Sequence, residues 1–122
     1  MFSHIKFANV PVSDQDRALA FYRDVMGLEL KVDDAQEADW RWIEFAIAGA
    51  KTRIVFTRAT GPSDAGEPVL ALVTPDVMGA YETLSARGAV FTQPPAPAPW
   101  MPDAFFALLR DSEGNTIMLG SG

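Results

Sequence analysis

A chain of 122 residues, 48% of them apolar and 21% charged, holds material for one compact domain with a modest core and no second full-sized one. Ten Lys and Arg against sixteen Asp and Glu leave a formal charge of −6, which repels phosphate backbones and anionic headgroups, so nucleic acid and membrane surfaces are excluded as first partners. Without cysteine there is no disulfide framework, thiolate metal site or cysteine nucleophile, and the single histidine, His4, removes most zinc designs.

From Ile5 to Val12 apolar residues alternate, with Ala8, Val10 and Val12 on one face, which predicts a half-buried strand. Ser13 and Asp14 offer cap oxygens to a helix running to Met26, where Ala18, Phe21, Tyr22 and Val25 recur at helical spacing and Gly27 follows as a left-handed terminator. Three strands are predicted next, Leu28 to Val32, Trp40 to Ile47 and Thr52 to Thr57, the last two joined as a hairpin through a two-residue turn at Gly49 and Ala50.

The loop from Gly61 to Pro68 interrupts the chain near its middle, and the order then restarts. Val69 to Val73 reads as a strand and Asp76 to Arg87 as a helix, with Val77, Ala80, Tyr81 and Leu84 on one face and Gly88 after the last turn. Strands are predicted at Ala89 to Thr92, Phe105 to Leu109 and Thr116 to Leu119, separated by a proline-rich loop at 94–102 and a hairpin turn at Asp111 to Asn115 that needs Gly114 at positive φ. Residues 1–60 and 68–122 thus form two βαβββ modules of one domain spanning 1–122, with their helix-ending glycines half a chain apart. Each module covers one sheet face with its own helix, and the uncovered faces meeting around a cavity would solve the burial problem. No apolar run reaches the length of a bilayer span and the N-terminus lacks a basic-then-apolar leader, so a cytoplasmic location is expected.

Four segments taken in order carry a resemblance: Asn9-Val-Pro-Val-Ser-Asp14, Ala18 to Leu28 (ALAFYRDVMGL), Ala80 to Leu84 with Gly88, and Arg110-Asp-Ser-Glu-Gly-Asn115 before the final strand. Together they resemble the vicinal oxygen chelate superfamily of glyoxalases, extradiol dioxygenases and bleomycin-resistance proteins. The resemblance implies an α+β fold of two βαβββ modules in a curved mixed sheet around a small-molecule cavity, and a homodimer. It also places the family's four metal-ligand positions at Phe7, Val55, Val69 and Met118, all apolar here, so no metal and no other cofactor is expected. His4, of opposite strand parity to Phe7, is expected to point away from that face.

By parity the cavity face gathers Phe7, Asn9, Trp40 and Trp42, then Glu44, Arg53, Val55 and Thr57, then Val69 and Met118, with Trp100, Met101 and Phe105 arriving from the second module. Each aromatic alone fits a hydrophobic core, whereas the set fits a ligand pocket with apolar walls and few polar groups. Glu44 and Arg53, diagonal neighbours if the hairpin holds, serve either as a half-buried ion pair or as a general base with an oxyanion holder, and Asn9 offers an amide. The leading expectation is a metal-free protein binding an apolar or aromatic small molecule in the cavity between modules. The alternatives are a glyoxalase-like lyase or isomerase, or a dioxygenase, with Glu44 as base or with a metal, and an interaction module without ligand.

Overall fold

Alternation along the first strand, β1 (Phe7–Val12), sends Val10 and Val12 fully inward. Asp14 then caps α1 (Gln15–Ala20), its Oδ1 accepting a hydrogen bond from Arg17 N at 3.1 Å. The predicted single helix to Met26 instead widens after Ala20 into a π-helical turn over Phe21–Val25, closed by Met26 N donating to Phe21 O at 3.0 Å. Apolar residues three and four apart suit either winding over so short a stretch, so the periodicity did not distinguish them. Gly27 ends the segment at φ 74° while Leu28 N donates to Tyr22 O at 3.0 Å, the left-handed termination that glycine allows.

Strands β2 (Glu29–Glu37), β3 (Trp40–Ala46) and β4 (Arg53–Arg58) complete this unit, Met1–Pro62, in the sheet order β1-β4-β3-β2. β1 and β4 run parallel and the other pairs antiparallel. The core lies between α1 and the sheet, where Tyr22, Phe45 and Phe56 pack with ring centroids 5.6 to 6.1 Å apart and all three are at most 1% exposed. β2 runs beyond the predicted end at Val32, through Asp33 and Asp34 to Glu37, because an edge strand leaves such side chains in solvent. The β3–β4 register, Glu44 opposite Val55, is the one that a turn at Gly49-Ala50 implies, but the regular strands stop at Ala46 and Arg53 and residues 47–52 form a longer connection.

The computed structural model describes residues 1–63 and 66–122; Asp64 and Ala65, in the central loop, lie outside the described residues. The second unit, Ser63–Gly122, repeats the topology with β5 (Pro68–Val73), α2 (Val77–Ala86), β6 (Val90–Pro97), β7 (Phe105–Arg110) and β8 (Thr116–Gly120) in the order β5-β8-β7-β6. Asp76 caps α2 through Gly79 N at 2.9 Å, and Tyr81 of α2 meets Phe91 of β6 edge-on at 4.8 Å. Four residues expected in the proline-rich loop, 94–97, belong to β6 instead. As the sheet edge, β6 tolerates prolines that donate no ladder bond, and the pairing with β7 shifts register around them. The two four-stranded mixed sheets with one helix each make the α+β fold that the sequence pattern predicts.

Candidate functional site

Because Ile43 and Phe45 of β3 turn toward α1, the intervening Trp42 and Glu44 stand on the opposite, open face of the first sheet. The parallel pairing of β1 with β4 sets Phe7 beside Arg53 and Asn9 beside Val55, and Val55 in turn lies opposite Glu44. This register makes Asn9, Val55 and Glu44 one row across three strands.

Three side chains on this face are locked together. Trp42 Nε1 donates to Glu44 Oε2 at 2.6 Å, and Arg53 donates through a guanidinium nitrogen to Glu44 Oε1 at 3.0 Å. Glu44 is 14% exposed and Arg53 38%, so the carboxylate is largely withdrawn from water with both oxygens engaged. The Trp42 ring meets Phe7 edge-on at 5.5 Å, a contact that crosses β4, and Val55 on that strand is 1% exposed. Phe7, Glu44 and Arg53 line a cavity of about 780 Å³ whose other walls are Lys6, Lys51 and the first residues of the chain.

Sequence reasoning misplaced His4. β1 begins at Phe7, so strand parity does not govern His4, and it lines this cavity with its Nδ1 2.7 Å from Ser3 Oγ. It also passed over Lys6 and Lys51, which the sequence signals only as basic residues just outside the strands carrying Phe7 and Arg53.

Trp40 is not brought to this cluster. It sits buried at the far end of β3 under the Arg58 guanidinium, 4.7 Å from the ring, and lines a different depression at the start of α1. Gln15 fixes that corner by two hydrogen bonds to the Arg41 backbone, at 2.8 and 2.9 Å, while the Arg41 guanidinium binds Asp33 and Asp16, which raises its pKa further. Thr57 is exposed beside Pro11.

In the second unit Met118 pairs with Leu108 and Ala71 on the sheet face away from the buried Ile117 and Leu119. Val69 falls in the irregularity between Pro68 and Leu70 and is half-buried. Phe105 is on the wrong side for the role expected of it. β7 alternates, so Phe105 shares the face of the buried Ala107 and Leu109, and Phe106 stands with Leu108 and Met118. Trp100, 60% exposed, packs on Phe106 at 5.1 Å, and Met101 is 40% exposed. The turn before β8 takes the expected form, with Gly114 at φ 83° and Asp111 Oδ1 accepting from Glu113 N and Asn115 N at 2.8 Å.

The sequence profile of the Glyoxalase/Bleomycin resistance protein/Dioxygenase superfamily matches residues 2–119. The chain belongs to that superfamily. A crystal structure of another superfamily member, from Sphaerobacter thermophilus, is 30% identical and superposes with a TM-score of 0.85 over 99% of this chain and 98% of that one. TnmS3, an antibiotic binding protein from Streptomyces sp. CB03234, is also 30% identical, with a TM-score of 0.81 over 98% and 96% of the two chains. The uncharacterized protein YetH of Bacillus subtilis (strain 168) is 26% identical over 98% of both chains.

The resemblance assigns the superfamily's metal-ligand positions to Phe7, Val55, Val69 and Met118. An arene, two isopropyl groups and a thioether cannot repay dehydration of a divalent first-row ion, so the side chains present do not fit such a metal. Among the described residues no three His, Asp or Glu side chains converge into a metal-holding group elsewhere.

Proposed function

We propose that the protein binds a small molecule without a metal, seating an apolar or aromatic ligand on the open face of its first sheet. The observation that carries this is the Trp42–Glu44–Arg53 lock. It holds an indole against Phe7 beside a cavity large enough for a drug-sized compound. A rigid aromatic wall with a few fixed polar groups gives affinity by apolar burial and orientation by hydrogen bonding, at little cost in side-chain freedom. The likeness to TnmS3, which binds an antibiotic, supports the same reading. Both Glu44 oxygens already accept hydrogen bonds, which favours an orienting role over proton abstraction.

Titration with N-phenyl-1-naphthylamine, followed by tryptophan fluorescence, tests this: a saturable change is expected in the native protein and its loss in Trp42→Ala with the circular dichroism spectrum retained. An unchanged response in the variant contradicts it. Elemental analysis is expected to find no stoichiometric zinc, iron, nickel or manganese.

The reading extends to a twofold pair of chains, supported by edge strands and by apolar side chains in solvent such as Val73, 74% exposed. Light scattering across a dilution series should then give the mass of two chains, and a mass of one chain at micromolar concentration removes the pair.

A further inference from the structure

The cavity beside Phe7 holds more positive charge than its carboxylate answers. Lys6, Lys51 and Arg53 line it together with Glu44, in a chain whose formal charge is −6. Arg53 is committed to Glu44 at 3.0 Å, whereas neither lysine has an ion-pair partner among the described residues. Lys6 Nζ lies 5.4 Å from the Phe7 ring centroid, so one of these charges is held directly against the apolar wall. A cationic ligand entering here meets like charge, and a neutral one leaves both exposed ammonium groups to water alone. An anionic group exchanges their water for charge-assisted hydrogen bonds, while the acidic remainder of the surface turns anions away elsewhere.

We infer that the ligand of this site is an aromatic oxyanion, its ring against Phe7 and its carboxylate, sulfonate or phosphate among Lys6, Lys51 and Arg53. The inference rests on the small-molecule reading of the same site and adds the charge of the ligand. Its test uses two probes with one aromatic body, the uncharged N-phenyl-1-naphthylamine and the sulfonate 8-anilinonaphthalene-1-sulfonate. At low ionic strength the sulfonate is expected to bind about tenfold or more tightly than the neutral probe, the gap shrinking as sodium chloride is raised. In a Lys6→Gln, Lys51→Gln double variant the gap should fall below about threefold. The salt series on the native protein gives the same information without any variant. Equal binding of the two probes, or a preference that survives both salt and the double variant, overturns the anion inference and leaves the small-molecule reading standing. Binding of neither probe overturns both.

Discussion

On the first sheet the face away from α1 carries Trp42, Glu44 and Arg53 joined by hydrogen bonds, whereas the matching face of the second sheet carries Leu108 and Met118, with Trp100 against Phe106. Strand order, helix placement and the glycine after each helix are the same in both halves. What differs is polar chemistry, which shows that the repeated topology sets positions and leaves the side chains free to specialise. In the first half three side chains of the open face bond to one another; in the second that face holds Phe106, Leu108 and Met118, and Arg110 beyond them bonds instead to the Gly114 carbonyl at 3.0 Å.

The largest expected effect contrasts the two cores. Tyr22 is fully buried among Phe45 and Phe56, so Tyr22→Ala should cost about 3–5 kcal/mol in urea unfolding. Tyr81, half-buried against Phe91, should cost roughly 1–2 kcal/mol as Tyr81→Ala. Equal losses would contradict the difference in burial between these two tyrosines.

Next come the open faces. Glu44→Ala strips the partner from Trp42 Nε1 and from Arg53, and should cost about 2 kcal/mol, while Met118→Leu on the other sheet keeps volume and should cost less than about 1 kcal/mol. Where the halves are alike the effects should match: Asp14→Ala and Asp76→Ala each remove one N-cap, at about 1 kcal/mol apiece in thermal or urea melts.

The smallest effect concerns charge at the surface of the first unit. Hydrogen bonding to Arg58 holds the Asp39 carboxyl below its usual range, so its contribution is present above the ordinary carboxylate pKa and lost as the pH falls through the lowered one. Both groups are exposed and screened, so Asp39→Asn should leave the acid limb of a stability-against-pH curve unchanged within error.

Much of this was legible in the residues because periodicity reports faces. The alternation of Trp42 and Glu44 with Ile43 and Phe45 marks the open face of β3 in the sequence itself, and Gly27 and Gly88 mark both helix ends. Strand ends were less legible. Parity was applied to His4 before β1 had begun, and β6 runs through prolines that only its edge position permits. Phe105 and Phe106 are adjacent and equally apolar, so composition cannot choose between faces; the ladder with β8 does, and it assigns the Met118 face to Phe106. Lys6 falls inside the expected strand from Ile5 with the parity of Ala8 and Val10, which points it to the covered face, whereas β1 begins only at Phe7; Lys51 lies in the connection between β3 and β4, outside any alternating pattern.

The central claim is that an aromatic wall anchored by Trp42 takes a small molecule without a metal. Native mass spectrometry of the protein incubated with N-phenyl-1-naphthylamine tests it most directly. The account predicts a noncovalent complex with one probe molecule per chain and no metal in the measured mass, and its loss in Trp42→Ala. The same complex in both proteins, or a stoichiometric first-row metal ion in the native one, would contradict it.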